Sequence, residues 1–109
     1  MGIVPRVAAS SDAFRAISDG NRRVLLDLLR LGELPVGGLV DATGLSYSLV
    51  SQHLDVLHDA GMVARRPEGR QRIYRLEPAP LRAVHDWTTE YECFWQERID
   101  RLRGHLEER

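Results

Sequence analysis

A mainly α-helical domain with one two-stranded β-hairpin is the fold class that this sequence predicts, and three observations predict it. Apolar residues recur at helical spacing through most of the chain. That period changes after Gly61, where two short runs separated by Pro67-Glu68-Gly69-Arg70 read as strands. Between two of the helical stretches, Thr43-Gly44-Leu45-Ser46 supplies a tight turn, which is helix-turn-helix spacing.

Taken in order, residues 1–8 carry no pattern beyond Pro5 and read as a lead. A first helix is expected over about 9–18, with Ala13, Phe14 and Ile17 on one side. Asp19-Gly20-Asn21 breaks and restarts the chain, since Asp and Asn both cap helices well. Val24, Leu25, Leu28, Leu29 and Leu31 then make the second helix amphipathic up to Gly32. The third, over about 36–43, is short. Gly37 and Gly38 sit in its first turn, each costing roughly 1 kcal/mol relative to Ala in a helix interior. Leu39 and Val40 are its apolar contacts, so packing against the next helix must hold it.

That next helix organises the chain. Ser46 can cap it with its hydroxyl, Gly44 permits a left-handed turn residue before it, and Gly61 stops it. Leu49, Val50, Leu54 and Leu57 form its core stripe. The opposite face carries Tyr47, Ser48, Ser51, Gln52 and Asp55, all small or hydrogen-bonding. Such a face suits the reading of base edges, although many solvated helices share its composition. Strands are expected over 62–66 and 71–76, with Val63, Ile73, Tyr74 and Leu76 as their apolar content. Pro78 and Pro80 then introduce a single long helix reaching Leu106. Its stripe runs through Leu81, Val84, Trp87, Tyr91, Phe94, Trp95, Ile99 and Leu102. So long a stripe exceeds what a chain of 109 residues can cover, and a partner subunit is the economical solution.

Composition sets the outer limits. The length suits one domain, and 43% hydrophobic residues allow a modest core. A formal charge of -1 provides no global field that would draw the chain to DNA or to a membrane. Locally the charge is sorted. Residues 62–77 hold five arginines (Arg65, Arg66, Arg70, Arg72, Arg75) against Glu68 and Glu77, whereas 78–109 hold more acids than arginines. The lone Cys93 excludes an intramolecular disulfide and points to a reducing compartment. No signal peptide is visible, and no apolar run approaches the ~20 residues that cross a bilayer, so a soluble, cytoplasmic protein is expected. An enzyme finds no support, because no Gly-rich phosphate loop or activated nucleophile can be recognised.

The order of elements, with Asp19 before Arg22-Arg23, Leu45-Ser46 through Val50-Ser51-Gln52-His53-Leu54, then Leu57 and Ala60-Gly61-Met62-Val63, resembles the ArsR family of winged helix-turn-helix repressors. Gly69-Arg70 and Tyr74-Arg75-Leu76 complete the resemblance at the wing, which covers about 13–76 well and the final helix more loosely. The resemblance implies a winged helix-turn-helix core over 9–77 and a dimerisation segment over 78–109. It implies a homodimer built from the first and last helices, with Phe14, Trp87, Tyr91, Phe94, Trp95, Ile99 and Leu102 at the interface. It places the helix that starts at Ser46 in the DNA major groove. Tyr47, Ser48, Ser51 and Gln52 become base or phosphate contacts, and Arg66, Arg70 and Arg72 become wing contacts. His53 sits where the family often has His, as a DNA contact or equally as a packing residue. Tyr47 stands where Gln is common, so no sequence preference is carried over.

Many members of that family sense metals. Their third helix resembles Glu-Leu-Cys-Val-Cys-Asp-Leu, against which this chain has Glu33-Leu34-Pro35-Val36-Gly37-Gly38-Leu39. Both thiolates are replaced by residues with no side-chain donor. A second familiar site pairs Asp-x-His with His-x-x-Glu. Here His105 and Glu108 match its second half, but Glu92 and Phe94 stand at the first. The expectation is a dimeric repressor that binds an inverted-repeat operator in double-stranded DNA, with no metal and no cofactor. Two alternatives are a repressor tuned by a ligand or metal at the dimer interface and a winged helix used purely for protein interaction. The arginine-rich wing favours DNA.

Overall fold

The computed structural model describes residues 12–107. The lead, residues 9–11 of the expected first helix, and Glu108 lie outside the described residues. The order is α1 (residues 12–17), α2 (Gly20–Arg30), β1 (Leu34–Pro35), α3 (Val36–Thr43), α4 (Tyr47–Asp59), β2 (Val63–Glu68), β3 (Gln71–Leu76), α5 (Leu81–Thr89) and α6 (Glu92–Glu107). This is a mainly helical winged helix-turn-helix.

Local chemistry sets each boundary. Asp19 caps α2, its carboxylate accepting from the backbone N–H of Asn21 at 2.8 Å and of Arg22 at 3.2 Å. The Thr43 hydroxyl donates to the Leu39 carbonyl at 2.7 Å and accepts from the Leu45 amide at 3.2 Å, pinning the turn between α3 and α4. Ser46 then caps α4 by accepting from the Leu49 amide at 3.1 Å. At the other end Gly61 takes φ +75°. The amides of Met62 and Gly61 reach back to the carbonyls of Leu57 and His58, both at 2.9 Å, closing α4 in a Schellman motif.

The sheet has three strands in the order β1-β3-β2, all antiparallel. Only two of them are legible as strands in the sequence. β1 is two residues long, pairing Leu34 with Tyr74 and Pro35 with Ile73, and it exists because β3 offers it an edge. β3 has its expected bounds, whereas β2 runs two residues further than expected and pairs Glu68 with Gln71 around a two-residue turn. Gly69, at φ +62°, occupies the first turn position, where a II′ hairpin takes glycine.

Leu25, Leu26 and Leu29 of α2, Leu39 of α3, Val50, Leu54 and Leu57 of α4, Met62 and Tyr74 form the centre of the core. Leu26 replaces Val24 and Leu31 in the expected α2 stripe. The buried face of α2 is centred on Leu25 and Leu29, which turns Val24 outward and leaves Leu31, the last residue before Gly32, 80% exposed.

The long final helix expected over 80–106 is broken. The hydroxyls of Thr88 and Thr89 both donate to the His85 carbonyl, at 3.0 and 2.7 Å, and draw on the acceptor that the helix ladder needs. The amides of Glu90 and Tyr91 then bond only three residues back, to Trp87 and Thr88, a tight turn that separates α5 from α6. Neither helix has a buried residue.

Leu57→Ala, at a fully buried site, is expected to lower unfolding free energy by about 2–5 kcal/mol, whereas Leu31→Ala should fall within about 0.5 kcal/mol of the parent. Denaturant melts at one fixed protein concentration check both values. Equal losses would mean that the α2 and α4 faces are wrongly assigned.

Candidate nucleic-acid interface

α4 is divided along its length. Val50, His53, Leu54 and Leu57 face inward, and Leu49 is half-buried. Ser46, Tyr47, Ser48 and Gln52 are exposed and Ser51 is half-buried, so the side chains read as DNA contacts stand together on the outer face. Tyr47 is 62% exposed at the first turn. Its hydroxyl and the amide of Gln52 provide donors and acceptors at the end of the helix that projects from the turn.

His53 does not join them. It is 8% exposed, with Nδ1 3.4 Å from a terminal nitrogen of Arg22 and Nε2 4.0 Å from the Asp19 carboxylate. Its expected place on the DNA face is thereby corrected. Three residues after Val50 and one before Leu54, it lies on the core stripe. A guanidinium only donates, so Arg22 bonds Nδ1 in the tautomer that leaves this nitrogen without a proton. Burial pushes the Asp19 carboxyl up. The amides of Arg22 and Asn21, with the charges of His53 and Arg22, outweigh that effect and hold it below its ordinary value.

The wing sorts its arginines by partner. Arg66 meets Glu33 at 3.4 Å and Glu68 at 3.5 Å, and Arg75 meets Glu77 at 3.1 Å. Arg65 donates to Asp55 of α4 at 3.2 Å, a link between wing and helix that spacing alone could not reveal. The Tyr74 hydroxyl, against the opposing effect of burial, raises the Arg65 pKa, and Asp55 adds to the rise. Arg70 and Arg72 are exposed and take no ion pair among the described residues. They are the wing cations most available to phosphate, and Arg66 reaches phosphate only by exchanging its carboxylates.

On another side, the residues expected at a dimer interface form one surface. Phe14 of α1 packs edge-on against Trp87 of α5, with ring centroids 5.5 Å apart. Trp87 in turn meets Tyr91 at 5.3 Å, and Tyr91 meets Phe94 at 6.3 Å. Trp95, Ile99 and Leu102 continue along α6, all exposed.

The positions that hold metal-binding thiolates in the resembling family offer no ligand atom here. Pro35 is the residue before α3, and Gly37 is exposed within it. Cys93 lies exposed on α6. Among the described residues no helix is long and apolar enough to cross a membrane.

Residues 19–65 match the family described as "Bacterial regulatory protein, arsR family". The chain is 41% identical over 83 residues to the HTH-type transcriptional regulator Rv2034 of Mycobacterium tuberculosis, covering 76% of this chain and 75% of that protein. It is 31% identical over 77 residues to the transcriptional repressor SdpR of Bacillus subtilis, covering 71% and 86% respectively. Among solved structures, it is similar to the homodimeric winged helix-turn-helix DNA-binding domain of Mb0332 from Mycobacterium bovis. That match has a TM-score of 0.69 and 27% identity, covering 84% of this chain and 86% of that one. With its helix-turn-helix, its arginine wing and these relatives, the chain belongs to the ArsR family of bacterial DNA-binding transcriptional regulators.

Proposed function

We propose that the protein is a homodimeric transcriptional repressor that reads an inverted-repeat operator through α4 and anchors on phosphates through the wing. The division of α4 carries this reading. Its apolar side is buried while Tyr47, Ser48 and Gln52 are exposed and Ser51 is half-buried, and on the wing Arg70 and Arg72 take no ion pair among the described residues. Base edges specify and phosphates position, so the two groups have separate roles. A net charge of -1 adds no general attraction, and the wing therefore supplies much of the electrostatic binding. Assembly is supported by the aromatic run from Phe14 to Trp95, in which Trp87, Tyr91, Phe94 and Trp95 stay exposed among the described residues. The homodimeric relative from Mycobacterium bovis supports it too. Two-fold symmetry would put the two α4 helices in successive major grooves, about one turn or ~34 Å apart.

Control by thiophilic metals has no chemical support in this chain. Pro35 and Gly37 offer no donor, and the lone Cys93 cannot supply the several thiolates that a tight As(III) or Cd(II) site draws on. The repressor is read as one whose DNA binding does not depend on metal.

Gln52 can match the donor and acceptor of adenine, so Gln52→Ala should cost about 1–3 kcal/mol at one base position per half-site and little on random DNA. Arg70→Ala or Arg72→Ala should weaken all sequences alike and lower the slope of log K against log salt. The drop should be about 1 for each phosphate no longer neutralised, summed over both subunits. Titrations on operator and random DNA at several salt concentrations separate the roles. A single-base relaxation in Arg70→Ala with specificity intact in Gln52→Ala would reverse the assignment.

Trp95→Glu sets a charge into the proposed interface and should give monomers, or insoluble protein, with operator affinity abolished. Sedimentation equilibrium decides this, and a parent chain that stays monomeric at high micromolar concentration would sink the dimer.

Stoichiometric Zn(II), Cd(II) or As(III) should leave operator binding unchanged in a mobility-shift titration. Tight uptake of any of them that frees the DNA would refute the metal-independent reading.

A further inference from the structure

The helix that begins the assembly face and the helix that meets DNA are different elements, and one side chain touches both. We propose that Arg22 is the positioning residue that fixes the distance between the two reading helices of the bound dimer, an inference that rests on the dimeric DNA-binding reading above. Arg22 lies in the first turn of α2, its own amide held by the Asp19 carboxylate at 3.2 Å. Its Nε donates to the Ala16 carbonyl at 2.6 Å, and one terminal nitrogen donates to the Arg15 carbonyl at 3.0 Å. Both carbonyls belong to the last turn of α1, and that of Arg15 also accepts from the amide and the hydroxyl of Ser18, at 3.2 and 2.7 Å. The other terminal nitrogen faces Nδ1 of His53, on the buried side of α4, at 3.4 Å. One planar group therefore spans α1, α2 and α4.

This geometry does what apolar packing does not. The buried stripe decides which face of α4 turns inward, but hydrophobic burial is non-directional, so it sets the fine rotation and position of the helix less sharply than a directed contact does. A guanidinium holds its donors in one plane at fixed angles. With two donors fixed on α1 and the third on His53, rotation of α4 has to break a directed contact. The Asp19 carboxylate, 4.0 Å from Nε2, bounds the imidazole on its other side. α1 also carries Phe14, edge-on to Trp87, where the assembly face starts. In a two-fold dimer, the place of each α4 relative to the axis is set by the elements that join it to that face. DNA presents only discrete registers. One base pair shifts a half-site by about 3.4 Å and by about a tenth of a turn. A clamp with fixed angles accepts one spacing, and a looser one accepts its neighbours.

The test uses the full chain and a set of palindromic sites, the selected operator and versions with one base pair added or removed between half-sites. Arg22→Lys keeps a cation but loses the planar fork. His53→Phe keeps a ring in the buried site and removes the acceptor. For the parent, a one-base-pair change should cost about tenfold or more, because a misplaced half-site forfeits base contacts. Both variants should remain folded by circular dichroism and dimeric by sedimentation, while the spacing penalty shrinks below about threefold. If either folded variant instead weakens every site by one common factor and keeps the parent's spacing penalty, Arg22 is merely a structural cap and the proposal is overturned. Should Arg22→Lys fail to fold, His53→Phe decides alone. A parent protein with no spacing preference would defeat the dimeric reading, and the proposal with it, without any variant being needed.

Discussion

Val50, Leu54 and Leu57 have no solvent exposure, and through them one side of α4 is committed to the core. Fully burying a leucine is worth about 1.5–3 kcal/mol, so this stripe outweighs the polar contacts at the helix ends in deciding which way α4 faces. The outer face follows from the inner one. Once the stripe is buried, a helix of 3.6 residues per turn can only present Tyr47, Ser48 and Gln52 outward. The Ser46 cap and the Schellman closure at Gly61 then define where the face begins and ends.

Around that constraint the chain separates two surfaces that would interfere if they overlapped. Arginine is concentrated on the wing, which Arg65 links to Asp55 of α4, while five of the seven aromatic residues gather on α1, α5, α6 and the turn between the last two. Among the described residues Arg70 and Arg72 take no ion pair, which leaves them for the phosphate role proposed for the wing. The ion pairs of Arg65, Arg66 and Arg75 are exposed and contribute little to stability. Their effect is on orientation: Arg65 to Asp55 ties the wing to α4, and Arg66 to Glu33 ties it to the chain entering β1.

Much of this is legible in the sequence alone, because periodicity and caps are local. The stripe of α4, its Ser46 cap and its glycine stop, the hairpin and the aromatic surface all stand where the spacing puts them. The departures have tertiary or subtle causes. β1 has no alternation to read, since Leu34–Pro35 becomes a strand only beside β3. The break after α5 falls where two threonine hydroxyls donate to one carbonyl and the next two amides bond only three residues back, which hydrophobic spacing does not register. His53 is ambiguous because its residue type suggests surface, whereas its position three residues after Val50 suggests core. Position prevails: the ring is buried, with Arg22 3.4 Å from Nδ1 and the Asp19 carboxylate 4.0 Å from Nε2. The α2 stripe differs from its expected composition at Leu26, as a run of leucines and a valine can be rotated either way until Leu26 meets its neighbours.

The proposed dimer joins two α4 helices through the aromatic face so that they read DNA in two adjacent major grooves. Chemical footprinting of the complex on a selected operator probes that pair without intermediaries, with one reagent for guanine N7 in the major groove and hydroxyl radicals for the backbone. Two symmetric major-groove protections are expected, centred about 10 base pairs apart on one side of the duplex, with backbone protection from the wings flanking them. One protected groove, or backbone protection with guanine N7 fully reactive throughout, would contradict the paired helices.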